Sequence, residues 1–424
     1  MLLDQYENQL STGSARARDL YIDAVNKLLA GEPAIVEKFS RVINQDPEFA
    51  QGYCSLARAY QMNGNAKAAK EAVQQAHTLA KGASEREQSH INCFHSLING
   101  KTPEAYKAIR SHVEAYPRDV LVAQTCTSIM GLIGFSGKPG RESELLAYTN
   151  ALLPHYGDDW WCLSQHAFSL CETGQIDPAL KFSERSLAIN PRNAHGAHVR
   201  SHIYYESGEH VAGISYLSDW LKDYDKSAIL HGHLSWHVAL WELGQGNIEK
   251  MWNIVDTDVA PGGSSGLPLN ILSDTASILY RAQLAGEKIS AERWKNISQY
   301  AKQQYPNPSH SFIDVHAAIT YAMSGDTEPL EQLISQPVGP AAELVSGFAE
   351  AFLSIAAQNW PKATDQLCSV MFDHARVGGS RAQRDLLEYM LMDCLLKLGK
   401  VGEARRLIVL RRPVQAVSTG IAGL

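Results

Sequence analysis

The stretch AQGYCSLARAYQMNGNAKAAKEAVQQAHTLAK, residues 50–81, decides the fold. Two amphipathic runs flank a turn at Gly64. Tyr53, Leu56, Ala57 and Tyr60 precede it, and Ala69, Val73 and Ala76 follow it. Steps of three and four are the spacing at which residues share one face of an α-helix. Small residues at Ala57, Ala69 and Ala76 let two backbones approach, with larger side chains flanking the crossing. The unit reads as a helix–turn–helix pair, which cannot bury its apolar face alone and must stack on copies of itself.

Working outward from Gly64, the same turn recurs at Gly31, Gly100, Gly137, Gly174, Gly208, Gly246, Gly286, Gly325, Asn359 and Gly399, in steps of 33 to 40 residues. Ala179 and Asn190-Pro191 after Gly174, Ala105 and Pro117 after Gly100, and Ala404 after Gly399 repeat the small-residue and closing-proline positions. The period and these positions resemble the tetratricopeptide repeat, whose length is about 34 residues. The expected fold is therefore all-α, a right-handed α-solenoid of about eleven tetratricopeptide-like helix pairs. Two stretches break the rhythm, Gly131–Arg141 (GLIGFSGKPGR) and Ala260–Pro268 (APGGSSGLP). Both are rich in Gly, Ser and Pro and read as loops, the second able either to cover a concave face or simply to connect.

Hydrophobic residues make up 45% of the chain and charged residues 20%, enough apolar surface for a continuous core. The net charge of −7, with basic and acidic residues interspersed, argues against nucleic acid as the main partner. No apolar run approaches the roughly 18 residues of a membrane span, so no membrane partner is expected. The start, MLLDQYENQL, is acidic where a secretory signal would be basic and apolar, and the expected location is cytoplasmic. Seven cysteines form no CxxC pair, and most fall within apolar runs, as buried thiols do.

Of sixteen histidines, eleven fall between His155 and His316. With Gly208 at position fifteen of its repeat, His195, His198 and His202 take positions that the first helix of a pair turns inward. The next pair carries His233, Trp236 and His237 in HGHLSWHVALWELGQG. Residues four apart stand one helical turn apart on one face, so His198/His202 and His233/His237 each offer two imidazoles in the geometry a transition metal takes from one helix. These four are the candidate metal ligands, with Asp274, Asp314 and His316 as candidate additions. The leading expectation for the same histidines is that they are hydrogen-bonding groups of a metal-free polar pocket, with metal binding the alternative. Gln383 and Arg384 follow Gly378-Gly379-Ser380 at a helix start. There an arginine and free backbone amides suit a carboxylate or phosphate, or the glycines make a turn, Ser380 caps the helix and Arg384 pairs with an acid. Trp160 and Trp161 begin another inward helix, where core packing competes with a ligand wall. The HExxH, P-loop and Gly-x-Ser-x-Gly patterns are absent.

Five segments, HVRSHIYYESGE, SWHVALWELGQG, DTASILYRAQLAG, FIDVHAAITYAMSG and GGSRAQRDLLEYML, resemble in order the motifs of the StaR-like tetratricopeptide proteins. The resemblance covers residues 150 to about 400, and it implies one site built from His198, His202, Trp236, His237, Asp274, Arg281, Asp314, His316 and the segment Gly378 to Arg384. It departs from the family at Ser201, Tyr204 and Tyr205, where Ala, Met or Glu are usual. The chain thus divides, by expectation, into N-terminal repeats (1–149), StaR-like repeats with a concave polar pocket (150–410) and a loosely held tail (411–424). The leading expectation is a protein that binds a small molecule or a peptide terminus in a groove lined by His198, His202, His233, Trp236, His237, Asp274, Arg281, Asp314, His316, Gln383 and Arg384. A metal-dependent or His–Asp enzyme and a scaffold for a protein partner are the alternatives.

Overall fold

A computed structural model of the chain describes residues 2–411 and 421–423. Among these residues are twenty-two α-helices, in eleven consecutive pairs, and one antiparallel hairpin of Leu2–Leu3 with Gln9–Leu10. The turns are where the glycines put them. All ten glycine anchors have positive φ, from 66° at Gly137 to 100° at Gly286, in the region that costs a side chain but not glycine. At the eleventh turn the left-handed residue is Gln358 (φ 56°), one place before the expected anchor, and Asn359 instead caps the next helix by accepting from Lys362 N.

The chain forms two compact units: Met1–Ile133 with Leu145–Ala167 and Lys181–Gly196, and Gly134–Glu144 with Phe168–Leu180 and Ala197–Leu424. The expected division after residue 149 was contiguous and these units are not, since a stacked repeat has no linker to mark a boundary. In the second unit the first helices of successive pairs pack on one another: His231–Gly244 on Pro268–Leu284, that on Ser311–Ser324, and that on Ala342–Ala356. Pro268–Leu284 also packs on Arg381–Lys397, three pairs along. The inward faces of these helices are therefore covered, and the polar side chains on them are core residues. Of the expected tail, residues 412–420 lie outside the described residues; Ile421 is buried, and Ala422 N donates to Leu284 O at 2.9 Å.

Both expected loops are loops, each tightly held. In the first unit the helix Val120–Gln124 stops early, where the Thr125 hydroxyl turns back to Val122 O (2.7 Å) and Leu132 N reaches Thr125 O. In the second unit Arg141 is 1% exposed and donates to the carbonyls of Gly134, Ala375 and Gly379. The Ala260–Pro268 stretch lies against the start of the His231–Gly244 helix. A Cβ at Gly232 would stand 2.3 Å from Ser264 Oγ and 2.8 Å from Asp258 O, so this approach needs glycine one residue before His233.

Candidate metal centre

Helix Ala194–Ser207 carries His198 and His202, and helix His231–Gly244 carries His233 and His237. The i,i+4 spacing puts each pair on one face, and crossing of the two helices brings the pairs together. One ring nitrogen from each of the four lies within 4.8 Å of the others. His198 Nε2 is 2.9 Å from His202 Nε2 and 3.0 Å from His233 Nε2. All four are buried, His202 and His237 completely. Phe168 closes one side, its ring centroid 5.4 Å from His198 and 4.9 Å from His202, and Trp236 stacks on His233 at 5.3 Å.

Proton accounting shows what this arrangement lacks. A neutral imidazole has one N–H and one lone pair. Asp274 Oδ2 lies 2.7 Å from His233 Nδ1, and a carboxylate can only accept, so that nitrogen donates; a neutral His233 then presents a lone pair at Nε2, and a protonated one a second N–H. His198 Nε2 touches both His202 Nε2 and His233 Nε2, and a single proton there satisfies one contact, not two. Neither ring nitrogen of His237 has a hydrogen-bond partner. Extra protons are opposed by the surroundings. Burial holds His202 and His237 well below their ordinary pKa, and any proton on a neighbouring histidine, with Arg281 for His237, acts in the same direction. Four buried imidazoles converging within 4.8 Å, of which His202 and His237 are held neutral, are the donor set of a transition metal that favours imidazole, such as zinc, copper, iron or nickel.

The remaining expected residues divide. Asp274 stands behind His233 as its hydrogen-bond acceptor. His316 offers Nδ1 to Phe312 O at 2.7 Å on its own helix and is outside the four-nitrogen group. Asp314, two residues away, takes the backbone N–H of Ser309 at 3.0 Å and lines a different cleft, of about 270 Å³, with Tyr305, Pro308 and Tyr321; burial pushes its carboxyl up to about 6. His195 does not join the histidine cluster. Trp161 is a core residue against Tyr156, at 5.3 Å.

The arginines are matched from within. Arg281 donates to Ala382 O (2.5 Å), Tyr205 Oη (3.3 Å) and Ser277 Oγ (3.2 Å), while Tyr205 Oη donates to Asp385 Oδ2 at 2.8 Å. Arg384 donates to Gly379 O and pairs with Glu142 at 2.9 Å, and Arg141 pairs with the same Glu142. Gln383 forms a capping box with Ser380: the serine hydroxyl accepts from Gln383 N, and Gln383 Oε1 accepts from Ser380 N. Of the two readings of this helix start, cap and internal ion pair describe the geometry. Sequence reasoning missed Phe168, Glu172, Tyr205, Asp385 and Glu142. Tyr205 and Asp385 stand within the quoted segments but carried no assigned role, Phe168, Glu172 and Glu142 stand outside them, and an acid such as Glu172 near a helix end ordinarily faces solvent.

A second buried polar cluster lies in the first unit. Asp119 is bound by Arg86 (2.5 Å), His90 Nδ1 (2.9 Å) and His112 Nε2 (3.1 Å). These neighbours hold its carboxyl well below the usual range against the cost of burial. A guanidinium already balances this carboxylate, so the cluster is an internal ion pair, with no charge left for a metal to balance.

No family model matches this sequence. In fold the chain is similar to the human IFIT1 dimer with PPP-AAAA, at 13% identity over 98% of this chain and 97% of that one, TM-score 0.46. It is similar too to the human IFIT1 dimer with m7Gppp-AAAA, at 12% identity over the same shares and TM-score 0.46, and to yeast Tom70, at 14% identity over 96% and 95%, TM-score 0.35. The tetratricopeptide type of the fold rests on the eleven helix pairs and their left-handed turns described above. At these identities the likeness is one of fold alone.

Proposed function

We propose that this protein binds one transition-metal ion through His198, His202, His233 and His237, in place of the small molecule or peptide terminus expected from the sequence. The observation that carries the reading is the convergence of four buried imidazoles, three of whose Nε2 atoms meet at 2.9 and 3.0 Å, with neither ring nitrogen of His237 hydrogen-bonded. A four-coordinate ion such as zinc has its shell filled by four imidazoles, as in sites that hold a metal rather than hydrolytic sites that keep a water. Iron or nickel would retain further positions. An organic carboxylate or peptide terminus is the weaker reading, because Arg281 and Arg384 are engaged by Tyr205, Ala382, Gly379 and Glu142. The groups named with IFIT1 are not extended to this chain, whose net charge is −7. Membership of the StaR-like proteins is part of the proposal and is supported by the five ordered segments. A cytoplasmic location is supported by seven cysteines that form no disulfide with one another.

The test is the metal content of untagged protein by plasma mass spectrometry, before and after chelation, beside a His198→Ala/His237→Ala variant. About one equivalent of zinc, copper, iron or nickel, lost in the variant, is expected. Wild-type protein that neither carries nor takes up any of these ions would sink the reading and return the organic ligand to first place.

A further inference from the structure

We infer that Glu172 is a second carboxylate of this centre, a positioning residue that holds His202 by Nδ1 as Asp274 holds His233. The inference rests on the metal reading above. Glu172 Oε1 lies 3.9 Å from His202 Nδ1; both side chains are fully buried, and neither of these atoms has a hydrogen-bond partner. Two orphan polar atoms facing each other inside a core are a deficit that folding alone has not corrected. The gap exceeds a hydrogen bond of about 2.7–3.2 Å, and a small turn of either side chain closes it.

A metal on His202 Nε2 supplies the reason to close. Ligation by Nε2 leaves the imidazole proton on Nδ1, which puts a fixed donor in front of the waiting acceptor. Charge argues the same way. Imidazoles bring no compensation to a divalent ion, whereas carboxylates behind two of them do; burial raises the Glu172 carboxyl above its ordinary value in the metal-free chain, and a cation on His202 favours its charged form. Of the cations near Glu172, Arg384 and Arg141 share Glu142, and Arg381 pairs with Glu206 at 3.2 Å. The other oxygen, Oε2, accepts from Arg381 N at 2.9 Å. This bond anchors the carboxylate and leaves Oε1 to turn toward the ring, and it joins the centre to the start of the Arg381–Lys397 helix.

The experiment is titration of chelated full-length protein with Co²⁺ alone, reading affinity by competition with a chelator and ligand field from the visible absorption bands. Glu172→Gln keeps the shape and an acceptor but removes the charge, and should weaken Co²⁺ binding about 10- to 100-fold and move the bands while leaving their four-coordinate intensity. Glu172→Asp, which keeps the charge, should recover part of the loss. Affinity within twofold of wild type and unmoved bands in Glu172→Gln, with Asp274→Asn impaired, would overturn the inference and leave the centre standing. Failure of the wild type to bind Co²⁺ would overturn both.

Discussion

Acidification of the metal-free protein tests whether the histidines are held as neutral donors. In the folded chain His202 and His237 lie well below the ordinary value of 6.5, and in the unfolded chain they return to it. Below pH 6.5 the unfolded state therefore binds protons that the folded state refuses, so stability is complete above that pH and falls as pH drops. At pH 5.5 each unfolded imidazole is mostly protonated, which is on the order of 1 kcal/mol or a little more apiece and about 3 kcal/mol for the two. The assay is urea unfolding of chelated protein at pH 7.5 and 5.5, compared with a His202→Gln/His237→Gln variant. Other buried groups titrate in both backgrounds and cancel in the comparison, among them His310, held down to about 4, and Asp314, raised to about 6. The wild type should lose about 3 kcal/mol more than the variant between the two pH values. Equal losses would refute the claim that burial keeps these imidazoles neutral, and with it the argument from converging lone pairs.

Two further outcomes probe the scaffold. Asp119→Asn strands the buried Arg86 guanidinium and should lower unfolding stability by about 3–5 kcal/mol, read by urea denaturation, whereas replacing Asp119, Arg86, His90 and His112 together with apolar residues should recover much of that loss. Gly213→Ala would drive a Cβ to 2.8 Å from the buried Trp241 ring, and should cost about 1–3 kcal/mol in the same assay and lower the melting temperature.

Much of the fold was legible because its signals are local. A glycine at a left-handed turn, and apolar residues three and four apart, act within one turn of backbone, and the helix pairs formed around them. The eleventh turn shows the margin: Asn359 was read as the turn residue, but its side chain is a better cap than a left-handed link, and Gln358 took the strain. The two HxxxH pairs were legible for the same reason, since spacing alone puts each pair on one face. Glu172 and Phe168 were not, because nothing in their own helix says which foreign side chain they will meet.

The sequence by itself determined the helices, the turns, and two faces each carrying two imidazoles. Tertiary structure decided the rest: that the two faces meet, that Asp274 stands behind a histidine rather than beside it, and that Arg281 and Arg384 are engaged by the protein's own groups. Periodicity depends on neighbours along the chain, whereas the partner of a buried charge depends on how helices remote in sequence cross. Only packing selects among the acids and carbonyls each arginine could have reached.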